Sequence, residues 1–367
     1  MNSVPSVSPR LIPASDPVLT WCGAIEVEHT PAWSRGWRLP RARREFFPSE
    51  RLLVQARTQA GVRVVFGTDT VALGGRCVST DATARVDLVV DGELLGTAAV
   101  APDGTFRFGR LPVGAKTVEV WLPHVGDFRL VELTVGQAAR VWTAGDTNRP
   151  KLVTYGSSIT HCGEAASPSR TWPALVARDL GMDLTSLGFG GECHLDPMIA
   201  RLIRDRPADL VIACLGINVY GAGTFNRRSF RSAILGFVST IRDGHPGMPI
   251  AVMSPIFSPS REAHAGKAGM TLAEMRAEVA EAARILRAYG DADVHLVDGL
   301  DVLGADQEHL LPDGLHPNAD GYAHMAAEIT SRADRLLAGT EAPPADPRPT
   351  PPTSAQRRSA PGLPRPR

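Results

Sequence analysis

The sequence has few cysteines and no excess of either charge, and each shortage excludes a class of protein. Its five cysteines are odd in number and include no Cys-x-x-Cys pair, so neither a disulfide framework nor a zinc site is predicted. The 39 basic and 39 acidic side chains balance, which leaves no basic field for nucleic acid. No apolar run reaches the length of a membrane span. We therefore expect neither nucleic acid nor a membrane as a partner.

The N-terminus also lacks a charged segment followed by an apolar core, so no secretory signal is predicted. We expect a cytoplasmic protein whose reduced thiols serve as small apolar fillers. A chain of 367 residues with 43% hydrophobic and 21% charged side chains predicts a globular protein of two domains. The sequence predicts no oligomeric state.

The first part of the chain has the pattern of a β-sandwich. Residues 1–15 are rich in Pro and Ser and are predicted to be disordered, and an accessory β-domain is predicted over 16–148. Short alternating segments separated by Gly, Pro or Asp, with Asp-Gly at two turns, indicate strands joined by hairpins. The segments predicted as strands are 61–68, 84–92, 104–109, 116–123 and 128–135.

From 149 to 338 the period changes, because short apolar runs alternate with longer helical segments. This alternation predicts an α/β domain with a parallel sheet covered on both faces. One predicted helix has clear boundaries, with a capping box of Thr271 and Glu274 and a terminating Gly290. The Pro- and Arg-rich tail, 339–367, cannot bury a core and is predicted to be disordered.

Polar residues and glycines follow the predicted strands of this second domain. Ser158 follows the first strand, Gly191 the second and Asn218 the third, whereas Asp313 and His316 follow the fifth. Since ligands bind beyond the carboxyl ends of parallel strands, we expect these residues to meet at one edge of the sheet.

Each of these residue types has a task in acyl transfer. A serine hydroxyl needs a base, and His316 can remove the proton from Ser158 while Asp313 orients the imidazole. The backbone N–H groups of Ser158 and Gly191 and the amide of Asn218 can bind a developing oxyanion. The alternatives are ordinary: Ser158 as a turn residue, Asn218 as a loop cap and Asp313 as a helix cap.

Residues 150–335 resemble the SGNH/GDSL hydrolases in four ordered motifs. The motifs are "GSSIT" with Ser158, "LGFGGE" with Gly191, "GIN" with Asn218, and "DGLHPN" with Asp313 and His316. The resemblance implies a flavodoxin-like three-layer fold, a serine nucleophile, and neither a metal nor a cofactor.

The sequence departs from the family pattern at four positions, without loss of a catalytic group. Ser157 stands where Asp is frequent, Ser186 where Asn is frequent, and Val219 where Asp is frequent. Glu192 directly follows the oxyanion glycine, where its charge would oppose catalysis unless it points away or pairs with an arginine.

The predicted β-domain, jelly-roll-like in type, narrows the resemblance to two-domain GDSL enzymes. These include carbohydrate esterases and actinobacterial acyltransferases that move an aromatic acyl group onto a tetracycline-type acceptor. We therefore expect an ester hydrolase acting on small-molecule or glycosyl esters through an acyl-serine. The alternatives are an acyltransferase with an alcohol acceptor, such as an aromatic polyketide, and a non-catalytic binding module on the same scaffold.

Overall fold

The computed structural model describes residues 9–145 and 148–338. It consists of an antiparallel two-sheet part followed by an α/β part with one parallel sheet. This architecture confirms the predicted fold class. The predicted tail, 339–367, and residues 1–8 lie outside the described residues.

The N-terminal part contains two facing antiparallel sheets. One has the strand order β3-β4-β11-β6-β9 with β1 added beside β11, and the other has the order β12-β5-β10-β7-β8 with β2 added beside β5. The strands are β1 (Arg10–Pro13), β2 (Thr20–Cys22), β3 (Glu26–His29), β4 (Ser34–Trp37), β5 (Arg63–Thr68), β6 (Ala72–Ser79), β7 (Arg85–Val90), β8 (Glu93–Ala99), β9 (Thr105–Gly109), β10 (Lys116–Trp121), β11 (Phe128–Val135) and β12 (Val141–Trp142).

All five predicted strand segments of this part are strands, but the prediction of disorder over 1–15 is wrong where the structure can be compared. Residues 10–13 form β1, which pairs with β11 along its whole length. The pairing is stabilised because Ile12 is 1% exposed and packs into the sandwich core. The sequence pattern also missed helix α1 (Glu50–Ala56), which begins at an N-cap in which Ser49 accepts the Leu52 N–H.

The α/β part contains a five-stranded parallel sheet of order β14-β13-β15-β16-β17. This is the flavodoxin-like order, with β13 at the point where the winding direction reverses. The strands are β13 (Lys151–Gly156), β14 (Asp183–Gly188), β15 (Leu210–Cys214), β16 (Ile250–Met253) and β17 (Val294–Val297).

Helices cover both faces of this sheet because successive side chains of its buried strands alternate between two apolar clusters. Val153 and Tyr155 pack toward one layer, whereas Leu152 packs toward the other. The helices are α2 (Ser158–His161), α3 (Trp172–Asp179), α4 (Pro197–Arg204), α5 (Ile217–Ala222), α6 (Phe230–Arg242), α7 (Leu272–Ala288), α8 (Gly299–Val302) and α9 (Ala319–Leu337). Helix α7 begins with the predicted capping box of Thr271 and Glu274.

The apolar core crosses the boundary that the sequence predicts at 148. Trp37, Phe47 and Leu52 of the N-terminal part belong to the same buried cluster as Phe189 and Ile199 of the α/β part. Segment 37–56 therefore packs as part of the catalytic core, although it precedes most of the sandwich. Within the described ranges, no helix is long and apolar enough to cross a membrane.

Candidate active site

Ser158 lies just beyond the carboxyl end of strand β13, as the first residue of helix α2. The turn is fixed by the preceding Ser157, whose buried hydroxyl accepts the Ile159 N–H at 3.2 Å. Ser157 stands where the family frequently has Asp, and in this chain it caps helix α2. Position 156 requires glycine, because a Cβ there would lie 2.0 Å from the Thr160 hydroxyl.

His316 and Asp313 meet Ser158 from the loop that precedes α9. His316 Nε2 is 2.9 Å from Ser158 Oγ, and His316 Nδ1 is 2.7 Å from Asp313 Oδ2. The His316 side chain remains 25% exposed, so an ester can reach it. These are the contacts that a base and its orienting carboxylate require.

Asp313 is held ionised by the turn that it forms. Its Oδ1 accepts the backbone N–H groups of Leu315 and His316 at 2.9 and 2.7 Å. Partial burial by itself would raise the pKa of Asp313, but these bonds and the His316 ring outweigh it and hold the pKa at about 2. The carboxylate therefore stays charged and keeps the proton of the imidazole on Nδ1.

The predicted oxyanion donors follow three neighbouring strands, with Ser158 after β13, Gly191 after β14 and Asn218 after β15. Gly191 has φ +76°, a left-handed conformation that glycine adopts without strain. Asn218 Oδ1 accepts the Cys193 N–H at 3.0 Å, so its Nδ2 faces away from Cys193 and can donate. The N–H of Ser158, at the first position of α2, has no carbonyl partner within its own helix.

Glu192, the departure that could oppose catalysis, is turned toward the N-terminal part. Its Oε2 accepts a hydrogen bond from the Ser49 hydroxyl at 2.7 Å, and its Oε1 lies 3.5 Å from Arg51 Nε. Arg51 also covers Gly191, since a Cβ there would lie 2.6 Å from Arg51 Nη2. The charge of the carboxylate is thus partly neutralised by an arginine, as the sequence analysis required.

The two other histidines near the site differ in their surroundings. His194 Nε2 lies 3.1 Å from the Gly191 carbonyl and Nδ1 lies 3.0 Å from the Thr224 hydroxyl, which steadies the oxyanion loop. His161 is the buried last residue of α2, with Nδ1 3.3 Å from the Gly188 carbonyl. Burial and the nearby Arg38 lower the pKa of His161 to about 3, so it stays neutral.

The cysteines beside the site are packing residues. Cys162 and Cys193 are 0% and 1% exposed, and burial raises the pKa of both thiols. Trp172 also belongs to the core, because it is fully buried and its Nε1 donates to the Ile159 carbonyl at 2.9 Å. Sequence reasoning missed Ser49, Arg51 and Arg38, which come from the N-terminal part and carry no motif that would have indicated them.

Comparison with known proteins matches both parts of the chain. The sequence profile of the GDSL-like Lipase/Acylhydrolase family matches residues 154–324, and that of the SsfX3 N-terminal domain matches residues 19–131. The solved structure of the salicylyl-acyltransferase SsfX3, from a tetracycline biosynthetic pathway, is 34% identical with a TM-score of 0.81. The match covers 90% of this chain and 98% of that chain. The chain belongs to the GDSL-like lipase/acylhydrolase family.

Two further solved structures share the two-part fold at lower identity. A GDSL-like lipase from Bacteroides ovatus is 21% identical with a TM-score of 0.75, covering 90% of this chain and 98% of that chain. A family two carbohydrate esterase from Cellvibrio japonicus is 18% identical with a TM-score of 0.60, covering 91% and 99%. No curated protein sequence matches the chain. As a member of the GDSL family, the protein is an enzyme that acts on ester bonds.

Proposed function

We propose that the protein cleaves carboxylic esters through an acyl intermediate on Ser158. The observation that carries this proposal is the continuous hydrogen-bonded chain from Ser158 Oγ to His316 Nε2 at 2.9 Å and from His316 Nδ1 to Asp313 at 2.7 Å. A hydroxyl in that position loses its proton to the imidazole as it attacks. The membership in the GDSL family sets aside the alternative of a non-catalytic module.

In the first half of the reaction, Ser158 Oγ forms a bond to the acyl carbon as its proton moves to His316 Nε2. The negative charge on the former carbonyl oxygen is bound by the N–H groups of Ser158 and Gly191 and by Asn218 Nδ2. His316 then gives its proton to the leaving alcohol as the ester bond breaks. Asp313 remains ionised throughout and stabilises the imidazolium.

In the second half, a hydroxyl compound attacks the acyl-serine and His316 takes its proton. The bond from the acyl carbon to Ser158 Oγ then breaks, and His316 returns the proton to Ser158 Oγ. When the hydroxyl compound is water, the products are the free acid and Ser158, which is ester hydrolysis on a small-molecule or glycosyl ester. When it is an alcohol, the product is a new ester and the reaction is acyl transfer. The two fates share every residue named above and differ only in what occupies the position of attack.

Acyl transfer to an alcohol such as an aromatic polyketide is the second candidate. It is favoured by the 34% identity to the salicylyl-acyltransferase SsfX3, which extends across both parts of the chain. The partition is measured by supplying one aryl ester with increasing alcohol and counting free acid against new ester. A new ester that dominates at low alcohol concentration indicates transfer, and free acid throughout indicates hydrolysis.

The proposal is tested by intact-mass analysis after treatment with a fluorophosphonate. Wild type should gain one adduct, and Ser158→Ala should gain none. Ser157→Ala is the matched control, because it removes the neighbouring hydroxyl, costs about 1 kcal/mol of cap stability and should still be labelled. Folded wild type without an adduct, or labelled Ser158→Ala, would contradict the assignment.

A further inference from the structure

Arg38 is a fully buried arginine at the boundary between the two parts of the molecule. Arg38 directly follows strand β4, and its side chain is 0% exposed. Within residues 9–145 and 148–338, no ion pair joins it to a carboxylate. Burial without a counter-charge lowers the pKa of its guanidinium to about 9, so it remains a cation at neutral pH. Such burial is costly unless hydrogen bonds satisfy the guanidinium.

Most hydrogen bonds of Arg38 end on backbone carbonyls of two segments from different parts of the chain, while Nη2 also donates to the Thr58 hydroxyl at 2.7 Å and lies 3.4 Å from His161 Nδ1. On one side, Nη2 donates to the Gln55 carbonyl at 2.7 Å and Nε donates to the Thr58 carbonyl at 3.0 Å. On the other, Nη1 donates to the Gly188 carbonyl at 2.6 Å and to the Ser186 carbonyl at 3.3 Å. One planar group therefore ties the end of α1 to the end of β14.

Both segments flank the loop that carries Gly191. Gly188 ends β14 just before that loop, and the Arg38 cation also lies 4.9 Å from the centre of the Phe189 ring. Helix α1 carries Arg51, which packs over Gly191 itself. Position 188 accepts no side chain, because a Cβ there would lie 2.5 Å from the His161 backbone nitrogen.

We propose that Arg38 is a positioning residue that holds the oxyanion loop, and thereby the Gly191 N–H, in the geometry that the tetrahedral intermediate requires. This proposal rests on the proposed function, because it assumes that Gly191 is an oxyanion donor. The guanidinium is suited to the task since its rigid fork reaches carbonyls on two sides at once. A lysine in the same place carries its three N–H donors on one nitrogen, so it does not span the two sides as the guanidinium does.

Arg63 provides a matched control, because it contacts the opposite end of strand β14 from Arg38. It is also a buried arginine of the N-terminal part, 3% exposed, and its Nη2 donates to Asp183 Oδ1 at 2.8 Å at the start of β14. Its Nη1 lies 3.4 Å from the Leu184 carbonyl. Loss of Arg63 therefore weakens the contact between the two parts but leaves the oxyanion end of β14 in place.

The experiment compares Arg38→Met, Arg38→Lys and Arg63→Met with wild type in the full-length chain. The measurements are the free energy of unfolding, kcat and KM on an aryl ester, and the inhibition constant of a boronic acid, which forms a tetrahedral adduct with the serine. For Arg38→Met we expect kcat to fall about 10- to 100-fold with KM within about twofold. The boronic acid should bind more weakly by the same factor as kcat/KM.

Arg38→Lys should keep the charge and fold, yet lose about 10-fold in kcat because one side of the bridge is missing. Arg63→Met should lose stability with kcat within about twofold of wild type. The proposal is overturned if Arg38→Lys matches wild type in kcat and boronic acid binding. It is also overturned if the Arg38 and Arg63 variants lose activity only in proportion to their unfolded fraction.

Should Arg38→Met fail to fold, Arg38→Lys alone decides the outcome. Failure of the proposed function is recognised separately, because folded wild type would then not react with the fluorophosphonate. Labelled wild type combined with unchanged Arg38 kinetics would reject only the positioning role.

Discussion

The reacting polar groups of the α/β part and the supporting polar groups of the N-terminal part differ in burial and in hydrogen bonding. In the α/β part, Ser158, Asn218 and His316 are partly exposed, and the Asn218 amide keeps a donor for a ligand. In the N-terminal part, Arg38 and Asp87 are 0% exposed, and each makes hydrogen bonds that reach the α/β part, Arg38 to strand β14 and Asp87 to the segment before α3. A reacting group must keep a hydrogen-bond donor or acceptor free for the substrate. A buried supporting group is stable only when all of its donors and acceptors are hydrogen-bonded.

Asp87 shows the supporting type most fully. Its Oδ2 accepts the Ser167 hydroxyl at 2.7 Å and both the N–H and the hydroxyl of Ser169 at 2.8 and 2.6 Å, while its Oδ1 accepts the Thr97 hydroxyl at 2.6 Å. A carboxylate of the sandwich therefore fixes the segment that leads into helix α3. The predictions below test whether loss of a reacting group and loss of a supporting group have different consequences.

The largest effect is expected for Ser158→Ala. Removing the nucleophile should lower kcat by about four to six orders of magnitude, with the free energy of unfolding nearly unchanged because Ser158 is partly exposed. Turnover of an aryl ester, with a thermal unfolding curve as the folding control, checks this. Turnover near that of wild type would remove Ser158 from the mechanism.

Asn218→Ala should lower kcat by about two to three orders of magnitude, because one oxyanion donor is lost. The Cys193 N–H also loses its acceptor, which should cost about 1 kcal/mol of stability. Steady-state kinetics should show a KM close to that of wild type. An unchanged kcat would mean that another group supplies this donor.

Asp87→Ala should lower stability and leave kcat nearly unchanged, which is the reverse of the effect expected for Ser158→Ala. It leaves three buried donors of Ser167 and Ser169 without their acceptor, so we expect a loss of about 3 kcal/mol in the free energy of unfolding. The kcat of the folded fraction should stay within about twofold of wild type. Thr97→Val removes the hydrogen bond from the Thr97 hydroxyl to Asp87 and should lower the free energy of unfolding by about 1 kcal/mol. A large fall in kcat for either variant would contradict the distinction between reacting and supporting groups.

A further effect is a pH dependence of stability from buried histidines. Burial lowers the pKa of His124 from 6.5 to about 4, so between these values the unfolded chain binds a proton that the folded chain does not. Stability should therefore fall as pH drops below about 6.5, by up to about 1.4 kcal/mol per pH unit for this residue.

The measurement is the free energy of unfolding at several pH values between 6.5 and 5, above the range in which most carboxylates titrate. His124→Gln should flatten the slope by about one proton, while substitution of the exposed His264 by Gln should leave it unchanged. Identical slopes for wild type and His124→Gln would show that His124 does not contribute.

The sequence predicted the α/β part well because its signals are local. Each strand and helix shows its own period, and the carboxyl ends of the strands could be read directly, which brought Ser158, Gly191, Asn218, Asp313 and His316 to one place before the structure was known. Their roles remain predictions until the variants are measured. The condition placed on Glu192 is met, since it pairs with Arg51.

The supporting residues could not be predicted because nothing local marks them. Arg38 stands in the segment "GWRLPRARR", which reads as a solvated basic stretch, and its acceptors are carbonyls that the sequence does not encode. Helix α1 is only seven residues long and lies in a region of β-type periodicity. Strand β1 was missed because Pro and Ser around it suggested disorder, although Ile12 is buried.

The shared core has a consequence for how the chain is made. Arg38 and the Gly188 carbonyl that it binds are 150 residues apart in sequence, so segment 37–56 leaves the ribosome long before its packing surface exists. At synthesis rates of about 5–20 residues per second, that delay is on the order of 10–30 s. During this time Trp37, Phe47 and Leu52 lack the α/β side of their core, and the apolar surface left open makes the nascent N-terminal half a client for chaperones.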